Sequence, residues 1–157
     1  MKDKRSFAPD RAELDLVFTL FNEIGIISQL SGTQFERLLP DGLSRSQFTI
    51  LNWFCRVDDQ ATPGRLARAL ELTRGAITNS IKKLEAKQLI TITPDKSSGR
   101  QKIVRLTKKG RQLRDRSILS AHPLMMQVLQ DVGVKKLTTL LPALQEIREY
   151  LDARRSL

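Results

Sequence analysis

Apolar residues recur at helical spacing at both ends of this 157-residue chain. From Asp10 to Leu39 two stripes run side by side, one of Leu14, Val17, Phe18, Phe21, Ile24 and Ser28, the other of Leu16, Leu20, Ile27 and Leu30. A helix with two apolar faces needs two coverings. One is the molecule's own core; the other is either a second copy of the chain or more of the same core around a fully buried helix. Towards the other end Leu137, Leu140, Leu141, Leu144, Ile147 and Leu151 recur at three and four, and Pro142 predicts a kink or a fresh helix start. The same apolar excess at both ends favours dimerisation over burial.

Between these stripes the pattern shortens. Pro40, Asp41 and Gly42 break the first helix, and Ser44 with Gln47 forms a capping box opening a helix through Phe48, Leu51, Trp53 and Phe54. Asp58 to Ala61 reads as a polar loop. Thr62 as N-cap and Pro63 in the first helical position start a short helix through Leu66, Ala67 and Leu70, since that position would make no N–H bond anyway. Thr73 caps the next helix, predicted from Arg74 to about Gln88. Its Ile77, Ile81, Leu84 and Gln88 share one face, and Gly75, Asn79, Lys82, Lys83 and Ala86 lie roughly opposite. Ile90 to Thr93 and Lys102 to Leu106 favour strand, and the Pro, Asp, Ser and Gly content from Pro94 to Arg100 predicts a hairpin tip between them. Thr107 then caps a long helix carrying Lys108, Lys109, Arg111, Arg114 and Arg116. The fold class is therefore mainly α with a small β-wing. A winged helix-turn-helix occupies 43–107, flanked by an N-terminal dimerisation helix in 1–40 and C-terminal linker and dimerisation helices in 108–157, all one intertwined domain.

Charge gives that middle region a partner. Thr62 to Arg116 holds fifteen Lys and Arg against four Asp and Glu, an excess of +11, while the rest of the chain sums to −1. This is an electrostatic footprint for a phosphate backbone. Apolar content of 40% and charged content of 28% suit a folded domain with its own core. One cysteine, Cys55, excludes an intramolecular disulfide framework, and one histidine, His122, leaves too few soft ligands for zinc, so neither metal nor cofactor is expected. On a helix beside Trp53 and Phe54, Cys55 reads as a buried inert thiol in preference to a redox sensor. No spacing brings together a nucleophile, a base and an orienting group, so no enzyme is expected. Met1 to Arg11 is polar and no apolar run approaches the roughly 18 residues of a bilayer span, which predicts a cytoplasmic protein with no membrane partner.

The chemistry of single residues then assigns roles. Asn79 suits a bidentate contact to adenine, and Arg74 one to guanine or a clamp on phosphate. The hydroxyl and methyl of Thr78 suit a base edge, and Gly75 permits close approach of the helix. Lys82 and Lys83 lie farther along, where backbone contacts add affinity without specificity. Arg100 at the hairpin tip is the candidate for insertion into an A·T-rich minor groove, with Lys96 and Lys102 making the tip cationic. Thr62 completes the candidate set. For each of these the alternative is a solvated charged face.

The run Leu43-Ser-Arg-Ser-Gln-Phe, then Leu66-Ala-Arg-Ala-Leu, then Leu72-Thr-Arg-Gly-Ala-Ile-Thr-Asn-Ser-Ile-Lys-Lys-Leu-Glu, and finally Leu106-Thr-Lys-Lys-Gly resembles the multiple-antibiotic-resistance regulator (MarR) family over nearly the whole chain. The resemblance implies a homodimeric, mainly bacterial transcription factor whose terminal helices interlock, whose recognition helix enters the major groove and whose wing reaches the minor groove. It also implies a small aromatic or amphipathic effector held between the dimerisation and DNA-binding regions, with no residue named for it. A twofold dimer calls for double-stranded DNA with an inverted-repeat operator. The chain departs from the family pattern in its wing, where Ser98 and Gly99 replace an Asp and an Arg. It departs again at Gln88, where the family usually has glycine, and at Ile92 and Thr93, near a customary arginine pair. The expected function is a sequence-specific repressor released by an effector. The competing readings are a winged helix binding nucleic acid without sequence preference, and a protein-interaction adaptor, against which the clustered charge argues.

Overall fold

The computed structural model describes residues 8–95 and 98–155. Helix α1 (Arg11–Leu38) opens on a capping box that its apolar stripes do not reveal: Glu13 N donates to Asp10 Oδ1 at 2.8 Å and Asp10 N to Glu13 Oε2 at 3.0 Å. A 3-10 turn over Pro40–Gly42 ends it, with Asp41 and Gly42 both left-handed at φ 56° and 59°. Helix α2 (Arg45–Arg56) starts at the predicted Ser44–Gln47 box, with bonds of 3.1 and 3.3 Å. Helices α3 (Pro63–Ala69) and α4 (Arg74–Ala86) begin at Thr62 and Thr73 as expected, each threonine oxygen accepting an N–H three residues on.

Strands β2 (Ile90–Asp95) and β3 (Ser98–Leu106) form the wing, pairing antiparallel with Ile90 opposite Leu106 and Ile92 opposite Val104. The pairing runs on to Asp95 opposite Ser98, so Pro94, Asp95 and Ser98 to Arg100, expected in the hairpin tip, belong to the strands. The loop expected at Asp58 to Ala61 is corrected. Gln60–Ala61 is a strand, β1, paired with Arg105 and Val104 of β3, giving the sheet order β1-β3-β2. Two residues are too few to show an alternating period, and it is burial of Ala61 against β3 that holds them extended.

The end of α4 is a second correction. The helix stops at Ala86, and Gln88 is exposed at φ 60°, off the apolar face assigned to it. Gln88 N donates to Glu85 O at 2.7 Å and Leu89 N to Leu84 O at 3.0 Å, a Schellman ending that turns the chain and buries Leu89 instead. Helix α3 ends the same way, with Glu71 left-handed at φ 51° and Leu72 N bonded to Ala67 O at 3.0 Å.

Helix α5 (Lys108–Ser120) leads to α6 (His122–Val132) and α7 (Val134–Asp152). Of the kink or fresh start expected at Pro142, the fresh start does not occur, because α7 continues through it. The break falls at Gly133, whose φ of 88° suits glycine and separates α6 from α7.

The core lies inside the winged helix, where Ile50, Leu51, Phe54, Leu66, Ile77, Leu84, Leu89, Ile90, Val104 and Leu113 form one buried cluster. Among the described residues α1 buries only Gly32, and α6 and α7 bury none. Both stripes of α1 face outward, with Leu16 68% and Phe18 73% exposed, so a fully buried internal helix is not what forms. Within α1 an 18-residue window reaches a mean hydropathy of 1.2, long and apolar enough for a membrane span by length and composition. This corrects the expectation that no run approaches that length. Leu, Val, Phe and Ile of the two stripes carry that mean, and from Leu16 to Thr33 the helix holds one charged residue, Glu23.

Candidate nucleic-acid interface

Helix α4 sorts its side chains by face. Ile77, Ser80, Ile81 and Leu84 are buried, and Arg74, Gly75, Thr78, Asn79, Lys82 and Lys83 are all exposed. The six candidates on this helix therefore share one solvent-facing surface, held in place by the core beneath it. Space is open where a Cβ at position 75 would stand, so that glycine matters for what approaches from outside and not for packing within the chain. The Thr78 hydroxyl donates to Arg74 O at 2.8 Å, which leaves its lone pairs and methyl for an incoming base. Thr62 is half-buried and its oxygen is engaged in capping α3. The N-termini of α3 and α4 add partial positive charge suited to an anion.

The wing is described in part. Lys102 is exposed on β3 opposite Pro94, and Arg105 Nη1 donates to Thr93 Oγ1 at 2.9 Å across the strands. Lys96 lies outside the described residues, and so does the side chain of Arg100, whose backbone belongs to β3.

Other cations of the basic block have internal partners, which sequence counting could not separate from free ones. Arg65 Nη1 lies 2.6 Å from Asp58 Oδ2, and its guanidinium sits 5.2 Å from the centre of the Trp53 ring. The Arg65 hydrogen bond, with one from Gln60 N, holds the Asp58 carboxyl below the usual carboxylate range. Lys87 Nζ donates to the Asp41 and Gly42 carbonyls at 2.9 and 3.0 Å, and Lys109 Nζ to Lys87 O at 2.9 Å. Arg116 reaches Asp41 Oδ2 at 2.6 Å, and Arg114 binds Asn52. Lys87 and Arg116 brace the left-handed turn at Asp41, whereas Arg65, Lys109 and Arg114 tie other elements to one another.

The Leu106-Thr-Lys-Lys-Gly box has a local physical meaning. Thr107 Oγ1 lies 2.9 Å from Gln88 O and 3.0 Å from Leu89 O, and it accepts from Gly110 N at 3.0 Å. A Cβ at position 110 would run into the Leu89 carbonyl. The box thus clamps the start of α5 onto the end of α4, fixing the recognition face relative to the helix that leads to the terminal bundle.

Cys55 is half-buried on α2, and burial pushes its thiol up against the opposing pull of Arg111 and Arg114. His122 is exposed at the first position of α6. Among the described residues no group of three or more His, Cys, Asp and Glu could hold a metal ion. An apolar crevice of about 420 Å³ lies between α1 and α7, lined by Phe21, Ile24, Leu144, Ile147 and Leu151, with Arg148 and Arg155 at its edge.

Comparison with known proteins agrees with this arrangement. The MarR family model matches residues 41–101. The uncharacterized HTH-type transcriptional regulator YdgJ of Bacillus subtilis (strain 168) is 24% identical over 147 residues, covering 94% of this chain and 84% of YdgJ. The crystal structure of the transcriptional regulator BldR from Sulfolobus solfataricus superposes with a TM-score of 0.75 at 30% identity, covering 88% of this chain and 98% of BldR. Bordetella bronchiseptica BpsR, whose DNA binding is regulated by 6-hydroxynicotinic acid, shares the fold with a TM-score of 0.69 at 18% identity, covering 83% of this chain and 98% of BpsR. With its helix-turn-helix, wing and terminal helices in the same order, this chain belongs to the MarR family of DNA-binding transcriptional regulators, which are not enzymes.

Proposed function

We propose that two copies of this chain form a twofold dimer that binds an inverted-repeat operator and represses transcription until a small-molecule effector releases it. The exposed face of α4 carries this reading, because Arg74, Gly75, Thr78, Asn79, Lys82 and Lys83 share one surface while Ile77, Ile81 and Leu84 of that helix are buried. Asn79 and Arg74 read bases, Lys82 and Lys83 hold the backbone, and Lys96, Arg100 and Lys102 bring the wing to the minor groove. Thr62 helps hold α3 at the backbone by fixing its N-terminus.

Dimerisation has its support in the open apolar faces. Leu16, Phe18, Ile27 and Leu30 of α1, Met126 of α6 and Leu140 and Leu141 of α7 are exposed in the single chain, and a second copy of the same helices covers them. That covering also accounts for the high hydropathy of α1 in a cytoplasmic protein. Control by a small aromatic acid is carried over from BpsR.

Selection from random duplex DNA at near-physiological salt tests the reading. The expected product is a palindrome with half-sites about one helical turn apart, bound by a species that sediments as a dimer. Selection of no sequence would make the protein a general nucleic-acid binder, and a monomer at micromolar concentration would remove the twofold operator. Release of the selected duplex by aromatic carboxylic acids, 6-hydroxynicotinic acid among them, tests effector control.

A further inference from the structure

The Arg155 side chain, at the end of the C-terminal helix, reaches the turn of the helix-turn-helix. Its Nη1 donates to Ala69 O at 2.9 Å, and its Nε lies 3.5 Å from Glu71 Oε1 and 3.1 Å from Asp152 Oδ1. Ala69 is the last residue of α3, so its carbonyl has no partner within the helix, and a cation there also meets the negative end of the helix dipole. Glu71 is the left-handed residue of that turn, three positions before Arg74 opens α4.

We infer that Arg155 is a positioning residue for DNA recognition, pinning the α3–α4 turn to the end of α7 so that the C-terminal helix sets the direction from which α4 meets the groove. This rests on α4 being the recognition helix. Three features assign positioning and not phosphate binding. The guanidinium is shared by Glu71 and Asp152, and Asp152 also pairs with Arg148, which in turn meets Glu149, so the connected cluster of two arginines and three carboxylates is net negative and does not attract DNA. Its contacts go to the turn that aims α4 and not to the exposed face of α4. The same α7 lines the crevice against α1 and exposes Leu140 and Leu141, so a shift of the terminal helices pulls on the turn through this side chain.

Full-length Arg155→Ala and Glu71→Gln variants test it in two arms. In the free protein, exchange of the Leu72 amide, which is bonded to Ala67 O across the turn, should quicken about threefold or more in both variants. Affinity for the duplex selected by the unaltered chain should fall about threefold to tenfold in Arg155→Ala. The slope of log affinity against log salt should stay unchanged, because Arg155 touches no phosphate. The melting temperature should move little, since the ion pairs are part-exposed. Adding Glu71→Gln to Arg155→Ala should cost nothing further. Unchanged Leu72 exchange overturns the inference, as does a slope shallower by about one, which would mean that Arg155 binds a phosphate. If the unaltered chain selects no duplex, the DNA reading has failed, and the exchange arm still decides whether the pin exists.

Discussion

The Arg114 guanidinium donates twice to Asn52 Oδ1, Nε at 3.1 Å and Nη2 at 2.9 Å, and so ties α5 to α2. Its third nitrogen, Nη1, meets Asp115 at 3.0 Å. With its side chain only 21% exposed, this arginine serves the fold although it belongs to the block that attracts DNA. Arg114→Ala should lower the unfolding free energy in urea by about 1–3 kcal/mol, the range for hydrogen bonds to a charged donor. The salt dependence of DNA binding should not change, and a shallower slope would mean that Arg114 reaches the phosphates.

Two glycines make a controlled pair. A methyl at Gly110 meets the Leu89 backbone carbonyl, which cannot move without dragging the end of α4. A methyl at Gly32 meets the guanidinium of Arg45, the mobile end of a long side chain that otherwise bonds Ser28 at 3.2 Å. Gly110→Ala should therefore cost roughly 2–3 kcal/mol or more, as overpacking against backbone does, and Gly32→Ala well under half as much. Thermal denaturation of the two variants side by side checks the order, and equal losses would contradict it.

Gln88 holds the left-handed position that ends α4, where a side chain crowds the following carbonyl. Gln88→Gly should raise stability by about 0.5–1 kcal/mol, the steric relief being offset in part by the greater freedom of glycine in the unfolded chain. Gln88→Val should lower it. Denaturant titrations would read both, and a loss of stability in Gln88→Gly would show that this end of the helix is not strained.

Base reading and backbone holding separate on α4. Asn79→Ala should cost roughly 1–3 kcal/mol per half-site on the selected duplex and leave a scrambled duplex nearly unaffected. Lys82→Ala should weaken both duplexes alike and make the salt slope shallower by about one for each phosphate it no longer neutralises. Equal loss on both duplexes in the Asn79 variant would mean that this helix does not read sequence.

Local chemistry was legible along the chain. Ser44, Thr62, Thr73 and Thr107 cap the helices they were expected to cap, since an N-cap depends only on a side-chain oxygen and an N–H three residues away. The wing strands and the outward face of α4 followed from alternation and helical period, which are equally local. Beyond that range the sequence was silent or misleading. Strand β1 exists only because β3 lies beside Gln60 and Ala61, and the helix break went to Gly133 because glycine takes a φ of 88° there while a helix can run through Pro142. The Asp10–Glu13 box that opens α1 is local and was readable, but no expectation rested on it. The basic block was legible as a sum, but which cations face outward was not. Lys82 and Lys83 are exposed on α4 while Lys87, Lys109, Arg114 and Arg116 turn back to carbonyls, an amide and a carboxylate brought near by folding. Charge adds along a chain wherever the residues lie, but a hydrogen bond needs its partner within about 3 Å, and only the tertiary structure brings Asp41 to Arg116 or Ala69 to Arg155.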